Sequence, residues 1–216
     1  DAVNCSNNLL TNLNITGTYD LSELNCSYNQ LNTIDLMANE LLESISCQSN
    51  QLSSIDISNC VDLYALDCSL NQITSVISSD LSYLGELNVS NNLLTSFDLS
   101  SASDLIDFYC DGNQITSLDV SGSLYLSWLD CSNNQIASLD LSNNANLEYI
   151  NCGYNNLTYL NISNGNNTIL YETDFLCFGN PNLLCITVDD PSWSNTNWDG
   201  YGYAPYSILS LNCETP

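Results

Sequence analysis

Apolar positions recur along this chain with a period of 21 residues. In the window 126–146, LSWLDCSNNQIASLDLSNNAN, leucine or isoleucine falls at Leu126, Leu129, Ile136, Leu139 and Leu141, with Cys131 and Asn134 between them. Stepping the window along the chain puts asparagine at Asn8, Asn29, Asn50, Asn71, Asn92, Asn113, Asn134 and Asn155, without insertion or deletion. Cysteine recurs at Cys5, Cys26, Cys47, Cys68, Cys110, Cys131 and Cys152, and Val89 alone breaks the row. A fixed period of this length predicts a stacked solenoid, in which each unit buries its apolar face on its neighbours.

Each unit divides into two extended pieces. The first is L-x-x-L-x-C, as in residues 63–68, where Leu66, Asp67 and Cys68 alternate with the period of a half-buried strand. The second, as in residues 115–121, alternates again. Between them S-x-N-Q makes a turn whose asparagine can bond free backbone groups, and stacking aligns these asparagines as a ladder. A 21-residue unit holding two extended pieces has no room for a long helix. The pattern predicts stacked parallel β-strands on the first piece, short strand or 3₁₀ turn on the second, and little or no α-helix. The period fails after Ser163, and Cys177 follows Cys152 by 25 residues. Residues 1–165 are therefore expected to form a solenoid of about eight repeats, and 166–216 a C-terminal capping segment.

The pattern L-x-x-L-x-C-x-x-N-x-L resembles the leucine-rich repeat, with cysteine at a position usually held by leucine. The segment 180–190, NPNLLCITVDD, is similar to the end of leucine-rich repeat cassettes secreted by Bacteroidetes-type bacteria, in which a second cysteine follows about 30 residues on; here that is Cys213. The resemblance implies a leucine-rich repeat solenoid with an irregular C-terminal cap. It also implies a bacterial surface or extracellular protein of the kind exported by the type 9 secretion pathway. A Cys185–Cys213 disulfide in such a cap would close a loop of about 28 residues and contribute roughly 3–4 kcal/mol. The ladder cysteines are read differently. Strands stack about 4.8 Å apart, but side chains of one row point in parallel, and a disulfide needs them turned towards each other. They are expected to be buried thiols filling space beside the leucines. Cys60 stands off the ladder, in a loop.

Composition narrows the function. The chain has 25 acidic residues and no Lys, Arg or His. A net charge of −25 argues against nucleic acid and anionic lipid as partners, and apolar runs are too short to span a membrane. The missing residue types remove the imidazole base, the Schiff-base amine and the guanidinium clamp, so no catalytic residue is expected and the chain reads as non-enzymatic. Asp35, Asp56, Asp98, Asp119 and Asp140 share one row. At about 5 Å apart such carboxylates repel by roughly 0.8 kcal/mol in water; turn amides would offset this, and the alternative is Ca²⁺ bridging them. Asn195, Asn197, Asp199 and Gly200 resemble the start of an EF-hand loop, although Tyr206 stands where its glutamate belongs. No further cofactor is implied.

The strand face is where leucine-rich repeats usually bind partners. One outward row runs Glu23, Ser44, Ala65, Glu86, Asp107, Trp128, Tyr149, and the next runs Asn25, Ser46, Asp67, Asn88, Tyr109, Asp130, Asn151. Tyr109, Trp128, Tyr149 and Tyr154 gather with Asp107, Asp111 and Asp130 towards the C-terminal half, and exposed aromatics among polar groups mark binding surfaces. The reading is a secreted binding or adhesion module for a protein or a neutral glycan. Two alternatives stand beside it: an ice-binding solenoid using the rows Thr74, Thr95, Thr116, Thr158 and Ser75, Ser96, Ser117, Ser138, or a structural subunit of an extracellular assembly. The first copy begins in mid-strand, so its apolar end is expected to meet upstream repeats or another chain.

Overall fold

The computed structural model describes residues 1–171, 173–198 and 207–213. In chain order its strands are β1 (Ala2–Asn4), β2 (Glu23–Asn25), β3 (Ser44–Ser46), β4 (Ser54–Asp56), β5 (Ala65–Asp67), β6 (Ser75–Ile77), β7 (Glu86–Asn88) and β8 (Asp107–Tyr109). They continue as β9 (Trp128–Asp130), β10 (Ser138–Asp140), β11 (Tyr149–Asn151), β12 (Tyr159–Asn161), β13 (Phe175–Leu176), β14 (Cys185–Thr187) and β15 (Ile208–Ser210). Among the described residues there is one α-helix, α1 (Pro191–Asn197), and one 3₁₀ turn, Asn167–Ile169. Pro191 opens the helix and the Asp190 carboxylate accepts from the amides of Ser192 and Trp193, so the first turn is capped.

One parallel sheet of nine strands runs the length of the solenoid in the order β1-β2-β3-β5-β7-β8-β9-β11-β13. The second extended pieces form a broken face: β4 pairs with β6, and β10, β12, β14 and β15 make a separate parallel sheet. The expected Thr and Ser rows lie on this interrupted face, and Thr74 and Thr158 donate their hydroxyls to the carbonyls of Ser53 and Ala137 one turn earlier. Pairing does not stop where the 21-residue period does. Ile150 pairs with Phe175 and Leu160 with Ile186, so the inserted residues are absorbed between strands and the stack continues.

The alternation fixes the inside. The middle residue of each three-residue strand from β2 onwards on the long sheet points inward: Leu24, Ile45, Leu66, Leu87, Phe108, Leu129 and Ile150 are all buried, each contributing about 1.5–3 kcal/mol. The cysteine row lies beside them, continued by Cys177. Cys185 and Cys213 form the expected disulfide, with Cα atoms 5.8 Å apart, whereas Cys26, Cys47, Cys68, Cys110, Cys131 and Cys152 are buried, unbridged thiols. Cys60 departs from its reading as a loop residue. It is 3% exposed, with its sulfur facing the carbonyl of Asn39 one turn earlier, because the turn containing it folds onto the core.

The turn asparagines form the ladder. The side-chain amide of Asn134 donates to the carbonyls of Cys110 (2.9 Å), Cys131 (3.2 Å) and Ser132 (3.1 Å), and its oxygen accepts from the Ile115 amide at 2.9 Å. Asn180 does the same with Cys152, Cys177 and Leu157. The residue before each ladder asparagine takes a left-handed backbone: Asn7, Tyr28, Ser49, Leu70, Asn91, Gly112, Asn133, Tyr154 and Gly179. That conformation costs a Leu or Tyr about 1–2 kcal/mol. The two ends differ. At the C-terminal end Trp198 is buried against Phe175 and donates its indole N–H to Leu170. At the other, β1 is the sheet edge, and Val3, Cys5 and Leu10 are only half-buried where Leu24, Cys26 and Leu31 are fully so.

Candidate functional site

Strand register assembles the outward rows. Glu86, Asp107, Trp128 and Tyr149 stand directly opposite one another, as do Asn88, Tyr109, Asp130 and Asn151. Because strands β8, β9 and β11 are consecutive in the sheet, their aromatic side chains meet. The rings of Trp128 and Tyr149 stack with centroids 4.0 Å apart at 11°, and Tyr109 packs against Trp128 at 6.4 Å and 39°. Trp128 remains 38% exposed. The result is a flat aromatic platform facing solvent.

Carboxylates border it. Asp130 accepts from the Ser132 amide at 3.0 Å and from the Asn151 side chain at 3.0 Å, which fixes it beside Tyr109 and Tyr149. Asp111 accepts from the Asn91 side chain at 3.2 Å. Burial pushes the Asp107 carboxyl above its ordinary value. It also raises the Tyr109 and Tyr149 hydroxyls, with Asp107, Glu86 and Asp130 adding to the effect at Tyr109 and Asp130 at Tyr149. The platform therefore offers π faces and negative charge, with no Lys, Arg or His anywhere in the sequence.

Of the expected set, Tyr109, Trp128, Tyr149, Asp107 and Asp130 are brought together, with Asp111 just beyond the strand ends. Tyr154 lies elsewhere. It occupies the left-handed position of its turn and meets Phe178 edge-on at 5.0 Å. Gly179 makes room for that ring, since a Cβ there would stand 2.6 Å from Tyr154 Cδ1. A second part of the same face went unread in the sequence. Ser44, Ser46, Ala65, Asp67, Glu86 and Asn88 line a hollow of about 260 Å³ that ends at Tyr109. Its signal was the run of small residues at the outward positions of two adjacent strands, Ser44, Ser46 and Ala65.

Elsewhere the side chains are structural. Burial pushes the Cys26 thiol up to about 12 and that of Cys60 to about 11, and Cys47, Cys68, Cys110, Cys131 and Cys152 are raised as well. These thiols stay protonated near neutrality and carry no nucleophile. The aspartate row closes turns: Asp35, Asp56, Asp98, Asp119 and Asp140 each accept from the amide two residues on. Hydrogen bonds from Ser58, Ser100 and Ser121 hold the Asp56, Asp98 and Asp119 carboxyls below the ordinary value. Among the described residues no group of three or more His, Cys, Asp or Glu is arranged to hold a metal ion. Asn195 and Asn197, expected in a calcium loop, lie in α1 and donate to carbonyls four residues back; Asp199, Gly200 and Tyr206 fall outside the described residues. No helix among the described residues is long and apolar enough to cross a membrane.

A parallel-strand solenoid of about ten turns, with an asparagine ladder and almost no helix, has the leucine-rich repeat fold. No protein-family model matches the sequence, and a search of curated proteins finds no match. Among solved structures the chain is similar to the functional domain of InlJ from Listeria monocytogenes, which includes a cysteine ladder, with TM-score 0.73 and 28% identity over 98% of this chain and 53% of that one. It is similar in fold to YopM, a leucine-rich effector protein from Yersinia pestis, with TM-score 0.66 and 23% identity over 86% of this chain and 49% of that one. An internalin, InlF, from Listeria monocytogenes matches with TM-score 0.67 and 19% identity over 90% of this chain and 58% of that one. The chain spans about half the length of these structures.

Proposed function

We propose that this chain is an extracellular, non-enzymatic binding module whose strand face recognises a basic segment of a partner protein, as part of a bacterial surface or adhesive protein. One observation carries the reading: the Trp128–Tyr149 stack is exposed on the open face and bordered by Asp107, Asp130 and Asp111. Arginine and lysine are attracted both to aromatic faces and to carboxylates, and nothing on this surface repels them. The neighbouring hollow at Ser44, Ser46 and Ala65 gives an extended segment room to continue along the sheet. The Cys185–Cys213 bridge suits an oxidising compartment outside the cytosol.

A neutral glycan is the second reading, favoured by the same stacked rings as a platform for a sugar face. Salt separates the two, because exposed charge pairs are screened beyond a Debye length of about 8–10 Å at 0.10–0.15 M and ring stacking is not. Arrays of basic peptides and of neutral glycans, probed at low and high ionic strength with the parent and Trp128→Ala, test both. Salt-sensitive peptide binding lost in the variant supports the protein reading, and salt-insensitive glycan binding replaces it. If both proteins behave alike on both arrays, the strand-face site is wrong.

A further inference from the structure

A second cluster of aromatic side chains lies off the strand face, on the flank where each turn leads into its strand. Tyr83, Asp104, Tyr125 and Asn146 occupy one position in four successive copies, and Tyr64, Gly85 and Ile106 occupy the position just before β5, β7 and β8. Tyr64, Tyr83, Asp104, Ile106, Tyr125 and Asn146 surround a cleft of about 420 Å³, within the span of small-ligand sites of about 300–1,000 Å³. The three tyrosines are 47%, 63% and 61% exposed, so the core does not require their rings.

Gly85 shows that the cleft is shaped. Its backbone is not left-handed, so no turn demands glycine there. A Cβ at this position would stand 2.6 Å from Tyr64 Cζ and 3.0 Å from its hydroxyl. The missing side chain is what lets the Tyr64 ring lie over the next repeat and wall the cleft. Other copies carry Ile106, Ser127 and Glu148 at the equivalent position.

The polar groups at the cleft are acceptors. Asp104 accepts one hydrogen bond, from the Ser103 hydroxyl through Oδ1 at 3.2 Å, and its other oxygen remains open. Asn146 spends its amide on the Leu124 carbonyl at 2.8 Å, leaving its oxygen available. With copies stacked about 4.8 Å apart, Asp104 sits midway between Tyr83 and Tyr125, about 5 Å from each along the stack. A compact cation above Asp104 would thus lie within the roughly 6 Å reach of cation–π attraction to both rings. Methyl groups on that cation would pack against the three aromatic walls, while the net charge of −25 draws it in. We propose that this cleft is an aromatic cage for a quaternary or methylated ammonium group, distinct from the strand-face platform.

Choline chloride titrated into the intact chain, followed by tyrosine chemical shifts, tests this against 3,3-dimethylbutan-1-ol, its neutral isostere. Saturable choline binding about tenfold or more tighter than the isostere is expected, corresponding to the charge-dependent part of cation–π and carboxylate attraction. Tyr83→Ala and Tyr125→Ala should lose it, Tyr83→Phe should keep it, and Asp104→Asn should weaken it. Trp128→Ala should leave it unchanged, which separates this site from the strand face whether or not the strand face binds anything. Thermal melts of each variant confirm that these exposed positions do not affect folding. The proposal is overturned if choline and its isostere bind alike, if choline does not saturate, if a methyl glucoside competes for the same tyrosines more strongly than choline, or if Trp128→Ala abolishes binding as Tyr83→Ala does.

Discussion

Inside the solenoid the same residue types return every 21 positions; on the strand face, one residue away in the chain, they do not. Leu87, Phe108, Leu129 and Ile150 are near-equivalent and fully buried, while their neighbours in sequence, Glu86, Asp107, Trp128 and Tyr149, are an acid, an acid and two aromatics. Stacking demands the first set, because each inward side chain must fill the layer left by the one before it. It demands nothing of the second beyond tolerance of an extended backbone. Departure from repetition, at positions where the fold is indifferent, is therefore where recognition is to be sought.

Four experiments press on that contrast. Asn134→Ala removes a buried side chain that satisfies three carbonyls and one amide. At about 1–3 kcal/mol per stranded buried group, we expect chemical denaturation to show a loss of about 3–5 kcal/mol, and a loss below about 1 kcal/mol would mean the ladder is incidental. Trp128→Ala should do the reverse. It forfeits a ring stack worth about 0.5–1.5 kcal/mol in stability, but weakens strand-face binding about tenfold or more, as central aromatic anchors do. Leu70 is smaller in effect and opposite in sign. It is 52% exposed and held at φ 54°, so Leu70→Asn should stabilise by about 0.5–1 kcal/mol by easing a left-handed backbone, read as a raised melting temperature.

The subtlest difference is in titration. Asp56, Asp98 and Asp119 have folded-state values below the ordinary 3.8, so the stability they contribute is present above that value and is lost as pH falls through their lowered values. Asp107 is raised by burial, so its charged form costs stability above its folded value and that cost is relieved on acidification. Carboxyl NMR on a falling pH series should show Asp107 protonating before the three turn aspartates. The reverse order would place Asp107 in open solvent and remove it from the platform.

Much of this was legible in the sequence because phase dictates direction. Once Leu129 and Cys131 point inward, Trp128 and Asp130 must point outward, and the 21-residue step sets Trp128 beside Tyr149. The disulfide was legible because Cys185 and Cys213 fall outside the ladder. What escaped reading was set by what is missing or by contacts between distant residues. The hollow at Ser44, Ser46 and Ala65 is an absence of side chain. The flank cleft joins Tyr64 to Tyr125 across three copies, in a stretch with no alternation to fix its direction. Tyr154 turned to Phe178 because Gly179, 25 residues after it, left the space. Helix α1 was written in Asp190-Pro191, a cap followed by a first-turn proline, within a segment otherwise read as irregular.

The backbone ladder also has a mechanical consequence. Each repeat stores 21 residues, about 70 Å of extended chain, in a rise of about 4.8 Å along the stack. A pull applied to the ends would peel turns from the open β1 edge, each releasing roughly fifteen times its folded length as its layer of hydrogen bonds parts. The opposite end resists, because Cys185–Cys213 withholds its loop from extension and Trp198 closes the last layer. Under load such a module would pay out length in even steps from one side only, a directional extensible tether between whatever its two ends are joined to.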